Sequence, residues 1–131
     1  MGYRSSVALV LYKSDYEELL KQAQPLIAKG WCGLHDEKPK REWEQDGKTY
    51  ICLAEDWIKW YDEFDEVMLV HKFIENKPHA FARVGEEYDD ILFEYDAGIE
   101  DDDVFYEALS IHRDIALNIP GEVAYYVGEN L

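Results

Sequence analysis

Positive charge is what this chain lacks most. No Lys or Arg occurs between Arg83 and Arg113, while residues 84–112 hold eleven acids: Glu86, Glu87, Asp89, Asp90, Glu94, Asp96, Glu100, Asp101, Asp102, Asp103 and Glu107. Over the 131 residues, 29 Asp plus Glu stand against 13 Lys plus Arg, a formal charge of −16. This deficit argues against direct binding of DNA or RNA, whose phosphates must be neutralised by Lys and Arg. It also disfavours an anionic membrane surface. The expected partners are basic proteins, including nucleic-acid-binding proteins whose own grooves are positive.

Other absences narrow the chemistry. Cysteine is limited to Cys32 and Cys52, enough for one disulfide at most, and nothing in their placement forces it. No stretch approaches the ~20 apolar residues of a membrane span, and the opening MGYRSSVALVLYKSD lacks the length and cleavage pattern of a secretory leader. Gly2 with Ser6 is a superficial match to an acylation signal, with no basic cluster beside it. A GxSxG elbow, a P-loop, an HExxH helix and a dinucleotide-binding glycine pattern are all missing. Cys32 and His35 are suggestively spaced, but zinc needs further soft ligands. DAGIEDDD lacks the spaced oxygens of a calcium loop, although Asp96, Glu100 and Asp102 are the acids a hard cation would choose. The expectation is a protein without catalytic residues, bound metal or cofactor.

An apolar fraction of 47% with 15% aromatics excludes wholesale disorder, and the length suits one domain over residues 1–131. YRSSVALVLY predicts a central strand covered on both faces. In KSDYEELLKQAQPLIAKG, Ser14 and Glu17 have capping-box spacing, and Tyr16, Leu19, Leu20, Ala23, Leu26 and Ile27 recur at helical intervals. Pro25 predicts a kink or a second short helix, and Gly30 a stop. Residues 31–41 read as irregular. Asp46-Gly47 between strand-like flanks predicts a hairpin. A second helix follows, with Asp62 as cap, Phe64, Val67, Met68, His71 and Ile74 on its core side, and Asn76 and Pro78 ending it. HAFARVG alternates, Phe81 opposing Ala80, Ala82 and Val84, and YDDILFEYD predicts another strand. Residues 103–119 fit either periodicity and are read as one or two strands. The expected fold is α+β: a mostly antiparallel sheet with two helices on one face, a ferredoxin-like βαββαβ core plus C-terminal strands.

On a strand, residues two apart share a face at roughly 6.6 Å. Glu94 and Asp96 therefore join Leu92 on one side, leaving Ile91, Phe93 and Tyr95 to enter the core. Carboxylates held on folded backbone meet Arg and Lys with less ordering cost than a floppy tail. The proposed protein-binding residues are Glu86, Glu87, Asp89, Asp90, Glu94, Asp96, Asp101, Asp102 and Asp103, with Trp57, Trp60 and Tyr61 as aromatic anchors wherever they are exposed. The alternative is a solvated acidic face that serves solubility.

Three segments carry a resemblance: YRSSVALVLY, IKWYDEFDEV and FARVGEEYDDI, with matching pieces at Tyr3–Ser5, Lys59–Asp62 and Arg83–Ile91. Spread over residues 2–96, they resemble a family of small acidic proteins of bacteriophages and prophages with no assigned activity. The resemblance implies a viral or mobile-element setting, hence a bacterial host, and transfers no catalytic residue; the default compartment expected from the cysteine usage is a reducing cytoplasm. It also implies a role seen among small acidic phage proteins, that of a nucleic-acid mimic inhibiting a host restriction or CRISPR component. The alternative it leaves open is a structural or accessory phage protein, a homodimer among the options.

Overall fold

A computed structural model describes residues 2–27, 41–111 and 114–127. Strand β1 (Ser5–Tyr12) runs straight into helix α1 (Lys13–Ile27). Strands β2 (Arg41–Gln45) and β3 (Lys48–Ile58), helix α2 (Asp65–Ile74) and strands β4 (His79–Gly85) and β5 (Ile91–Asp96) follow. A helical turn α3 (Val104–Glu107) and short strands β6 (Leu109–Ile111), β7 (Ile115–Leu117) and β8 (Tyr125–Tyr126) are the last described elements.

Two sheets result. The larger has the order β2-β3-β1-β4-β5, every neighbouring pair antiparallel, and the smaller the order β6-β7-β8. An antiparallel α+β core with β1 flanked by β3 and β4 is consistent with the expected ferredoxin-like arrangement. Among the described residues there are three helices rather than two. The C-terminal strands do not lengthen the large sheet; they form a layer of their own against its other face.

Side-chain alternation explains the layering. From β1, Val7, Leu9 and Leu11 point toward the helices, where Leu19, Val67, Val70, Phe73, Ile74 and Phe81 join them. Ala8, Val10, Cys52, Ala80 and Ala82 point the other way. Their small size lets the C-terminal layer approach closely, and Phe105, Leu109, Ile115 and Leu117 fill the gap. β1 is thus buried on both sides, as its apolar run predicts. The Asp46-Gly47 hairpin is also present, with φ of 53° and 79° at the two residues, the double positive φ of a type I′ turn. In β4, Phe81 lies on the helix side while Ala80, Ala82 and Val84 lie on the other.

Several local expectations are corrected. α1 begins at Lys13, so Ser14 sits inside the first turn and does not cap it, and the helix continues through Pro25 as one unit. Leu19 and Ala23 are buried while Tyr16 and Leu20 are half-buried; the side chains of Leu26 and Ile27, with Gly30, lie outside the described residues. Asp62 does not cap α2, whose N-cap is Phe64. The buried face of α2 is Val67, Val70, Phe73 and Ile74, with Met68 turned outward. Residues 104–107 form a helical turn where strand was expected, before β6 and β7. Trp31, Cys32, His35 and His112 lie outside the described residues.

Candidate protein-binding surface

The acids of residues 85–103 lie along β5 and at both its ends, roughly 17 Å apart for a six-residue strand. At one end, Glu86, Glu87, Asp89 and Asp90 form the turn from β4. At the other, Asp101, Asp102 and Asp103 lead into α3, and Glu94 and Asp96 lie on β5 itself. Their carboxylates are not equivalent.

Asp90 is structural. Its carboxylate accepts the Tyr3 hydroxyl and pairs with Arg83 at 3.1 Å. The Tyr3 hydroxyl in turn accepts the Glu87 amide at 3.1 Å, and the hydrogen bond to Asp90 raises the Tyr3 pKa. Glu86 accepts the Arg4 amide at 2.8 Å. Gly85 has no side chain because any Cβ there would collide with Asp90 and Tyr3. This cluster ties the segment ahead of β1 to the β4–β5 turn.

Asp102 is structural too. Its side chain is only 8% exposed, and it accepts the Tyr12 hydroxyl at 2.7 Å, the Tyr50 hydroxyl at 2.6 Å and the Val104 amide at 3.0 Å, with Lys48 Nζ at 3.6 Å. Burial pushes its pKa up, but the bonds from Tyr50, Tyr12 and Val104, with the Lys48 charge, outweigh burial and hold it low. Burial first, then the bond to Asp102, pushes Tyr12 up to about 12 and raises Tyr50 as well. Lys48, raised chiefly by its bond to Glu100, closes the cluster. Asp96 bonds the Gly98 amide at 2.8 Å.

That leaves Glu87, Asp89, Glu94, Asp101 and Asp103. All are exposed, and their carboxylates accept no hydrogen bond and join no ion pair among the described residues. Asp102 and Asp90 hold the backbone; these five face outward.

Strand β5 itself departs from expectation. Leu92 packs under the helices on the same side as Glu94 and Asp96. Ile91, Phe93 and Tyr95, expected to enter the core, remain 49%, 36% and 47% exposed, beside Tyr106 at 58%. Among the described residues β5 is the last strand of its sheet, and α3 is too short to cover its apolar side.

The three aromatic candidates separate in the same way. Trp60 is buried against Phe81 and donates its indole N–H to His71 Nε2 at 3.2 Å, so it is a core residue and no anchor. That bond requires a neutral His71, whose pKa is lowered by burial against the opposing pull of Asp62 and Glu94. Tyr61 is half-buried against Phe64. Trp57 is 51% exposed at φ 61°, an uncommon conformation for a bulky residue, where β3 carries an extra residue opposite β1. Of the three it alone has an anchor's exposure.

A cleft of about 920 Å³ opens at the end of the sheet, lined by Tyr12, Lys13, Lys48, Glu75, Asp96 and Glu100 among others. Lys48 is already bound to Glu100 there, and Asp102, a candidate cation ligand, is engaged by tyrosines. Among the described residues no three His, Cys, Asp or Glu side chains converge as a metal site would require. No helix among them is long and apolar enough to cross a membrane.

The sequence alone does not single out Tyr3, Tyr12, Tyr50 or Lys48 as holders of the acidic loops, because Tyr12 and Asp102 are separated by 90 positions. The class defined by fold and surface is an α+β domain whose sheet ends in an acid-bearing strand. No family model matches this chain, and neither a curated protein nor a solved structure is detectably similar to it.

Proposed function

We propose that this protein is a non-enzymatic binder and inhibitor of a basic, nucleic-acid-binding host protein, acting in a bacterial cytoplasm as a phage anti-defence mimic of nucleic acid, anti-CRISPR or anti-restriction in kind. A ferredoxin-like βαββαβ scaffold carries the acidic strand. The observation behind the reading is the pairing of anchored and outward carboxylates. Asp90 and Asp102 pin the loops at the two ends of β5, and Glu87, Asp89, Glu94, Asp101 and Asp103 are left facing solvent on that ordered support. Fixed carboxylates attract a positive groove without a large ordering cost, and their field speeds encounter.

The test is affinity capture from a bacterial host extract across salt concentrations, followed by competition between this chain and nucleic acid for the captured protein. Changing Glu87, Asp89, Glu94, Asp101 and Asp103 together to amides should weaken association at least tenfold and flatten its salt dependence while the fold persists. Unchanged affinity, or no competition by nucleic acid, overturns the reading.

The second reading, an accessory phage protein that forms a homodimer with its acids serving solubility, draws on the exposed Ile91, Phe93 and Tyr95. A dimer in sedimentation, together with indifference to basic partners, would favour it.

A further inference from the structure

The hydrogen-bond phase of β5 identifies what its open edge offers. The Gly85 amide donates to the Asp90 carbonyl at 2.9 Å, and the register pairs Arg83 with Leu92, Phe81 with Glu94 and His79 with Asp96. In an antiparallel pair, bonded and non-bonded positions alternate. Leu92, Glu94 and Asp96 therefore exchange backbone bonds with β4, and Ile91, Phe93 and Tyr95 turn their backbone groups away from it. The Ile91 amide is taken by Asp89 at 3.0 Å; Phe93 and Tyr95 lie along an edge that no other strand covers among the described residues.

The same strand presents two different faces to anything that would lie alongside it. On one side are the half-exposed Ile91, Phe93 and Tyr95, bordered by a groove of about 570 Å³ that Tyr106, Leu109 and Ile111 help to line. On the other side are Glu94 and Asp96, both exposed. An added strand would set its side chains about 4.5–5.5 Å from those of β5, so each face selects its own partner. Apolar residues complement the aromatic side and Lys or Arg complements the acidic one.

A second copy of this chain fails that match. Antiparallel pairing of two β5 strands in one continuous sheet keeps like faces together, bringing Glu94 and Asp96 beside the same acids of the other copy. The formal charge of −16 on each chain adds to the repulsion.

We infer that β5 is a docking edge for an extended segment of a basic protein, one that alternates Lys or Arg with apolar residues and joins the sheet beyond β5. This rests on the proposed binding of a basic partner and specifies its mode. Strand addition derives affinity from main-chain bonds and specificity from alternate side chains.

The test uses a ten-residue synthetic peptide alternating Lys and Val. Controls alternate Lys and Ser, or Glu and Val. Binding is followed by fluorescence titration and by amide hydrogen exchange. The Lys/Val peptide should bind and slow exchange at Phe93 and Tyr95 at least tenfold. The Lys/Ser peptide should bind at least tenfold more weakly, and the Glu/Val peptide should not bind. Phe93→Pro removes an amide that β4 does not use, a position where edge strands tolerate proline, and should reduce Lys/Val binding at least tenfold. Phe93→Lys, which keeps the backbone amide, should do the same through its charge and so covers the case in which the proline variant fails to fold.

Equal binding of the Lys/Val and Lys/Ser peptides, with Phe93 and Tyr95 exchange unchanged, overturns the edge inference while leaving the acidic-surface reading intact. Equal binding of the Lys/Val and Glu/Val peptides overturns both. A dimer in sedimentation that Phe93→Pro dissolves makes β5 a self-interface and also overturns the inference.

Discussion

Among residues, Asp102 shows how one member of an acidic run is set apart. Its neighbours Asp101 and Asp103 are chemically identical, yet Asp102 alone turns inward to Tyr12, Tyr50 and Lys48. Three charge-assisted hydrogen bonds, from Tyr12, Tyr50 and the Val104 amide, are at stake, so Asp102→Ala should cost roughly 2–4 kcal/mol at neutral pH. Because the folded protein holds this carboxyl below its ordinary pKa, its contribution is complete above about pH 4 and is lost as pH falls through the folded value. The gap between wild type and variant should therefore narrow on acidification below about pH 4, as urea unfolding at several pH values will reveal. A gap that stays constant would show that the bonds are worth the same with the carboxyl protonated. Nothing local in EDDD distinguishes Asp102, because the selection is made by tyrosines on β1 and β3. Trp60 is similar: set among acids and aromatics, it reads as a surface anchor until the chain turn beyond Trp57 brings it beneath Phe81 and His71.

Elements were legible wherever a short pattern determines them. Asp46-Gly47 needs only its own backbone preference to reverse the chain, and the alternation of β4 assigns Phe81 and the alanines to opposite faces. β5 alternates just as clearly, and its two faces separate as that alternation predicts. What alternation does not encode is whether each face is covered, and the cover depends on the length of α3. That helix spans Val104–Glu107 and buries Phe105 against Tyr12 and Tyr50, at ring-centroid distances of 5.0 and 5.6 Å. Its Tyr106 ring meets that of Tyr95 at a centroid distance of 5.1 Å. Residues 103–119 were ambiguous because a single helical turn followed by short strands satisfies both periodicities in part. Phe105→Ala removes the side chain that joins this layer to the sheet and should cost about 3–5 kcal/mol, measured by denaturant unfolding. Loss of less than about 1 kcal/mol would show that the layer is held by Leu109, Ile115 and Leu117 alone.

For the molecule as a whole, charge and fold pull in opposite directions. A formal charge of −16 on a chain of 131 residues stores self-repulsion that salt relieves within a Debye length of about 10 Å at 0.1 M. Thermal unfolding should therefore rise by several degrees between about 10 mM and 300 mM sodium chloride, the opposite direction to the weakening that the same salt should impose on binding of the proposed basic partner. Calorimetry across that range will check it, and a flat profile would mean that the acids are already screened from one another. The small residues Ala8, Ala80 and Ala82 permit a third layer on the sheet; the apolar run of β1 predicts cover on both faces, but the order of strands and helices does not show that β6, β7 and β8 supply it.

The ties from Tyr3 to Asp90 and from Tyr12 and Tyr50 to Asp102 carry a kinetic consequence. Loops stapled from the interior complete their conformational search while the chain folds, so the proposed partner would meet a finished template. Capture should then proceed as a single collision-limited phase, linear in partner concentration, with no slow adjustment after contact.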